Sequence, residues 1–122
     1  MYATISWRCH VHAADRRKAE RVAGRMRERL GLPLDVEEYE RYARFPELAV
    51  MRLTTPLGHN DAQAALFAAL ECAWRLATPW SVSALGPPGR REFNGVAAGT
   101  VGARFFVPGV EWMEFTLTGD GA

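Results

Sequence analysis

The sequence predicts an α+β fold, a two-layer ferredoxin-like (βαββαβ) sandwich with an added C-terminal β-hairpin. Three features point to it. Residues 2–12 alternate apolar and polar side chains, residues 14–30 and 62–77 carry helix-type patterns, and β-type runs punctuated by Pro and Gly surround them. The 122 residues, 48% hydrophobic and 24% charged, fit one domain over 1–122 with a core that needs no disulfide or metal.

The elements follow in order. Ala3, Ile5, Trp7, Cys9 and Val11 share one face of the first strand, and Thr4, Ser6, Arg8, His10 and His12 share the other. Ala19, Val22, Ala23, Met26 and Leu30 then form one helical stripe, entered at Asp15 and stopped at Gly31 and Pro33. Residues 35–45 fit either a short helix or a strand. A β-hairpin over 35–55 is the reading adopted, because it gives the strand Leu48–Thr54 a neighbour. Pro56–Asp61 reads as a loop ending in an N-cap.

From Ala62 to Ala77 the polar side chains are Gln63, Glu71 and Arg75, in one stripe with Phe67 at the missing step. The rest of this helix is apolar nearly all round, so neighbouring elements or a second chain should cover it. Trp80–Leu85 reads as the strand closing the βαββαβ order. Gly95–Gly102 reads as a connection. Ala103–Val107 and Val110–Leu117 flank Pro108-Gly109 as the added hairpin, and Thr118–Ala122 is a loose tail.

Composition narrows the function classes. The net charge is +1, which supplies no global field toward nucleic acid or an anionic membrane. Arginines outnumber lysines fourteen to one and alanine is abundant, the codon bias of a GC-rich bacterial genome. No basic leader precedes an apolar stretch, and no run is long enough to span a bilayer, so a cytoplasmic protein with Cys9 and Cys72 as reduced, buried thiols is expected. Charge is uneven along the chain. Residues 8–29 are basic, whereas residues 35–47 hold Asp35, Glu37, Glu38, Glu40 and Glu47 against Arg41 and Arg44.

Candidate chemistry is sparse. His10 and His12, two apart on a strand, point the same way and could hold a metal only if a further ligand converges on them, with His59, Asp61 or Glu111 as options; no metal or cofactor is expected. The Gly95, Gly99, Gly102 spacing matches no phosphate loop. The column Arg17, Arg21, Arg25, Arg29 lacks interleaved aromatics and reads as a solvated helix face. Alternation puts Glu111 on the apolar side of the last strand with Met113, Phe115 and Leu117, where Arg52 or Arg104 would have to pair it. The segment Asp35, Glu37, Glu38, Tyr39, Glu40, Tyr42 and Glu47 offers aromatic anchors in an acidic rim and is the expected partner-binding surface.

The closing run Val107-Pro108-Gly109-Val110-Glu111-Trp112-Met113-Glu114-Phe115, after Trp80-Ser81-Val82-Ser83, resembles the C-terminal part of small immunity proteins of bacterial polymorphic-toxin systems. The resemblance covers under a third of the chain. It implies a cytosolic inhibitor that binds a cognate toxin domain and blocks its active site, and it carries over no contact residue. The competing reading is a dimeric α/β-barrel enzyme or ligand-binding protein, which the over-apolar second helix favours and the polar side of the first strand opposes. A metal-dependent regulator using His10 and His12 is the third.

Overall fold

The alternation of residues 2–12 produces the central strand, β1 (Tyr2–His12), with Ile5, Trp7, Cys9 and Val11 fully buried. The fold was obtained as a computed structural model and is described for residues 1–119. Helix α1 (Arg16–Leu30) follows. Asp15 accepts a hydrogen bond from the Lys18 N–H at 2.9 Å, and Gly31 ends the helix at φ 70, a backbone conformation that favours glycine. Strands β2 (Asp35–Arg41) and β3 (Leu48–His59) form the hairpin. β3 continues through Pro56 to His59, where the sequence suggested a loop. Helix α2 (Ala62–Trp74) is capped by Asp61, which accepts from the Ala64 N–H at 2.9 Å.

Strands β4 (Ala77–Thr78), β5 (Ser81–Leu85), β6 (Glu92–Ala98), β7 (Arg104–Phe105) and β8 (Val110–Thr118) complete the chain. Six strands form one antiparallel sheet in the order β2-β3-β1-β8-β6-β5, and β4 pairs with β7 in a small second sheet. Both helices cover one side of the large sheet. Ala19, Val22 and Met26 of α1 and Ala65, Ala69 and Cys72 of α2 share a single core with Trp7, Met51, Met113 and Phe115.

This arrangement corrects the expected βαββαβ sandwich. The strand after α2 does not enter beside β1; the final strand, β8, takes that place, and β5 ends up at the far edge. Burial explains the exchange. β8 delivers Val110, Met113, Phe115 and Leu117 to the core, whereas every residue of β5 is exposed, so β5 cannot fill a central position. Trp80 still anchors the segment, donating its indole N–H to the Ala77 carbonyl at 2.8 Å and packing on Phe115 at 5.4 Å between centroids.

The expected C-terminal hairpin is also replaced. β7 turns back to the end of α2, pairing Phe105 with Ala77, and the Phe106 N–H donates to the Leu76 carbonyl at 2.9 Å. The Pro108-Gly109 turn therefore delivers β8 to the end of β1, where the His12 N–H donates to the Gly109 carbonyl at 2.7 Å. The first half of the Gly-rich stretch read as a connection, residues 95–98, belongs to strand β6, and Gly102 supplies the positive φ (91) after a short 3-10 turn. Gly95 is needed there for another reason: a Cβ would lie 2.1 Å from Phe115 Cε2. Residues 120–122 of the expected loose tail lie outside the described residues, while Thr118 belongs to β8.

Candidate functional site

The side of the sheet away from the helices is built from the polar half of each strand's alternation. Reading across the ladder gives the row Glu40, Val50, His10, Trp112, Ala98 and, one step along, Glu38, Arg52, Arg8, Glu114, Val96. Helices leave this face uncovered.

Aromatic rings run along the first row. His10 stacks on Trp112 at 4.6 Å between centroids and meets Tyr42 edge-on at 4.7 Å, and Tyr42 in turn stacks on Phe45 at 5.8 Å. Phe45 is 47% exposed. Burial, assisted by the nearby Arg8 charge, lowers the His10 pKa below its ordinary value, while Glu111 and Glu114 pull it back up. The Arg8 guanidinium lies over the Trp112 ring, 5.0 Å from its centroid.

The second row is a line of four charges. Glu38 lies 3.3 Å from Arg52 Nε and Glu114 lies 3.5 Å from Arg8, with Arg52 and Arg8 directly opposite each other between them. Asn94 donates from Nδ2 to the second Glu114 oxygen at 3.0 Å, which fixes that carboxylate. A groove of about 440 Å³ opens over these rows, lined by Arg8, Arg52, His10, Tyr42, Arg44 and Val50 among others.

The expected partner-binding residues separate into distinct roles. Glu40 is exposed at the groove, and Tyr42 joins the aromatic row. Glu38 is engaged by Arg52, and Glu37 accepts a hydrogen bond from Thr54 Oγ1 at 3.0 Å. Asp35 is exposed opposite Thr54. Tyr39 turns to the helix side, packs against the core and accepts a hydrogen bond from Arg41 Nη2 at 3.2 Å. Glu47 is exposed in the turn before β3. Arg41 also donates to the carbonyls of Ala13, Ala14 and Pro46, pinning the hairpin to the start of α1.

One ionisable position behaves differently from the sequence reading. The ladder slips between His10 and Val11, so Val110 and Met113 face the core while Glu111 turns outward to pair with His12 Nε2 at 2.7 Å. That irregularity removes Glu111 from the apolar side and gives it a histidine in place of Arg52 or Arg104. Among the described residues, no group of three or more His, Cys, Asp or Glu side chains could hold a metal ion. Cys9 and Cys72 are unpaired and buried, and burial pushes the Cys9 thiol up to about 12.

Sequence reasoning missed Trp112 and the Arg8–Arg52 juxtaposition. Both follow from β8 and β3 flanking β1 in a particular register, which no local pattern states. The arginine column of α1 is exposed; within it Arg29 donates to the Arg75 carbonyl at 2.6 Å and lies over the Phe106 ring. Among the described residues, no helix is long and apolar enough to cross a membrane. No protein-family model matches the chain, and no curated protein or solved structure shows significant similarity to it.

Proposed function

We propose that this chain is a cytosolic binding module that docks another protein on its open sheet face, acting as an immunity-type inhibitor of a toxin domain. The observation carrying this reading is the row Phe45, Tyr42, His10, Trp112, flanked by Arg8, Arg44 and Arg52. Tyrosine, tryptophan and arginine are the residues that most often dominate protein–protein binding energy. Arg8, His10, Arg52 and Trp112 are held on strands, while Tyr42, Arg44 and Phe45 stand in the connection between β2 and β3 beside them. Glu40 and Asp35 extend the face with the acidic rim that would speed association with a basic partner. The inhibitory role itself rests on the resemblance of the C-terminal run.

The mixed signs of the second row favour a protein partner over a polyanion, because Glu38 and Glu114 offset Arg52 and Arg8. They also oppose a barrel closed by a second subunit on this face, which would enclose four charges where an apolar wall is needed. Co-expression with a toxin domain encoded beside this chain tests the proposal. Growth should be restored by the native chain and lost with Tyr42→Ala combined with Trp112→Ala, provided that variant folds by circular dichroism. Absence of binding to that domain, or rescue that survives the double variant, rejects the reading or the surface respectively.

A further inference from the structure

The second row of the open face places two like charges side by side. Arg8 and Arg52 are directly opposed across adjacent antiparallel strands and point to the same side, an arrangement that is destabilising without compensation. The compensation comes from outside the pair. Glu38 holds Arg52 through Nε at 3.3 Å, and Glu114 meets a terminal nitrogen of Arg8 at 3.5 Å. Among the described residues, no acidic side chain pairs with both arginines. Arg8 Nε is buried and has no hydrogen-bond partner, so one N–H faces neither water nor an acceptor. The Trp112 ring fixes the guanidinium from one side.

The groove above has the sign that this arrangement calls for. Arg8, Arg41, Arg44 and Arg52 line it together with a single acid, Glu40. Arg41 is occupied by backbone carbonyls, and Arg52 and Arg8 each engage an acid through one nitrogen, which leaves Arg44 and the remaining N–H donors of Arg8 and Arg52 facing the groove. Its volume of about 440 Å³ holds an anionic group together with the body that carries it, and Val50, His10 and Tyr42 supply apolar and aromatic walls. Guanidinium groups recognise carboxylate and phosphate oxygens through paired N–H donors.

We propose that this groove is an oxyanion site, taking a carboxylate or phosphate group between Arg8 and Arg52. The bound anion meets the guanidinium N–H donors of Arg8 and Arg52 that Glu114 and Glu38 do not engage, and it separates the two like charges. The site belongs to the isolated chain and does not depend on the protein-docking reading, although an acidic side chain of a docked partner is one way to fill it.

Titration of the isolated, ¹⁵N-labelled chain tests this directly. Inorganic phosphate and sodium glutarate, the latter standing for an acidic side chain, are added separately at ionic strength held constant with sodium chloride. The expected result is a saturable movement of the Arg8 and Arg52 Nε–Hε resonances, absent with chloride alone. Arg52→Gln should weaken the response about tenfold, the loss of one charge-assisted contact. Arg90→Gln, outside the groove, should leave it unchanged. A stronger response to glutarate assigns the site to protein carboxylates, and a stronger response to phosphate assigns it to phosphorylated ligands. No saturable movement with either probe in the native chain, or an equal response in Arg52→Gln, overturns the proposal. A failed toxin-rescue experiment leaves this result untouched, and a failed titration leaves docking on the aromatic row intact.

Discussion

Trp7 donates its indole N–H to Thr55 Oγ1 at 3.0 Å inside the core, joining β1 to β3 through two side chains with essentially no exposed surface. Trp7 also packs edge-on against Phe115 at 6.1 Å between centroids, so the hydrogen bond sets the orientation of the ring at the centre of the fold. Thr55→Val keeps the shape and removes the acceptor, leaving a buried N–H unpaired. It should cost about 1–3 kcal/mol, whereas Thr55→Ser keeps the acceptor and should cost about 1 kcal/mol or less. Urea denaturation followed by tryptophan fluorescence measures both. A Thr55→Val variant as stable as the native chain would mean the bond contributes nothing.

Gly95 leaves the space that the Phe115 ring fills. A methyl group at residue 95 would stand 2.1 Å from Phe115 Cε2, and the ring is held by Trp7 and Trp80. Gly95→Ala should therefore destabilise by about 1–3 kcal/mol through overpacking. Combined with Phe115→Leu, which retracts the offending atoms, the alanine should cost less than it does alone, with a coupling of about 0.5 kcal/mol or more. Strict additivity in that double-mutant cycle would rule out the ring as the cause.

These two contacts mark what the sequence leaves unsaid. The caps at Asp15 and Asp61, the stripe of α1 and the alternation of β1 from Ile5 to Val11 are local patterns that appear in the structure where the residues put them, whereas a register shift between Tyr2 and Thr4 leaves Ala3 exposed and buries Tyr2. Strand order is a different kind of fact. Ser81–Leu85 and Val110–Thr118 both read as strands, and only the larger apolar supply of β8 places it beside β1. The slip between His10 and Val11 then reverses the side assigned to Glu111. Half of the open face was legible, from Arg8, His10 and Tyr42. Trp112 and Arg52 join it only through register.

The over-apolar second helix has a related explanation. Phe67 is 72% exposed and Trp74 54% exposed, on the stripe shared with Gln63 and Glu71, while Ala65, Ala69, Cys72 and Ala73 face the core. The fully buried positions are thus small, Leu66 and Leu70 pack against the core beside them, and the outward side carries two large rings. Phe67→Gln should change stability by less than about 0.5 kcal/mol, and Ala69→Gln, which forces an amide into the core, should cost about 2 kcal/mol. Thermal denaturation of the two variants checks the contrast. A large loss from Phe67→Gln would show that something covers this ring in solution.

The last prediction concerns the histidine between Tyr42 and Trp112. Burial first, and then the Arg8 charge, hold the His10 pKa below its ordinary value of 6.5, against the opposing pull of Glu111 and Glu114. The unfolded chain therefore binds the proton more readily than the folded one between the lowered value and 6.5. In that window stability rises with pH, so the contribution is fully present above 6.5 and is lost as pH falls toward the folded pKa. Urea denaturation at several pH values between about 5 and 7.5 should show a decline on acidification that His10→Gln reduces. The aromatic stacking on Trp112 should loosen only at lower pH, where His10 of the folded chain itself takes up the proton, visible as a change in near-ultraviolet circular dichroism. Parallel pH profiles for the native chain and His10→Gln would place the acid sensitivity elsewhere.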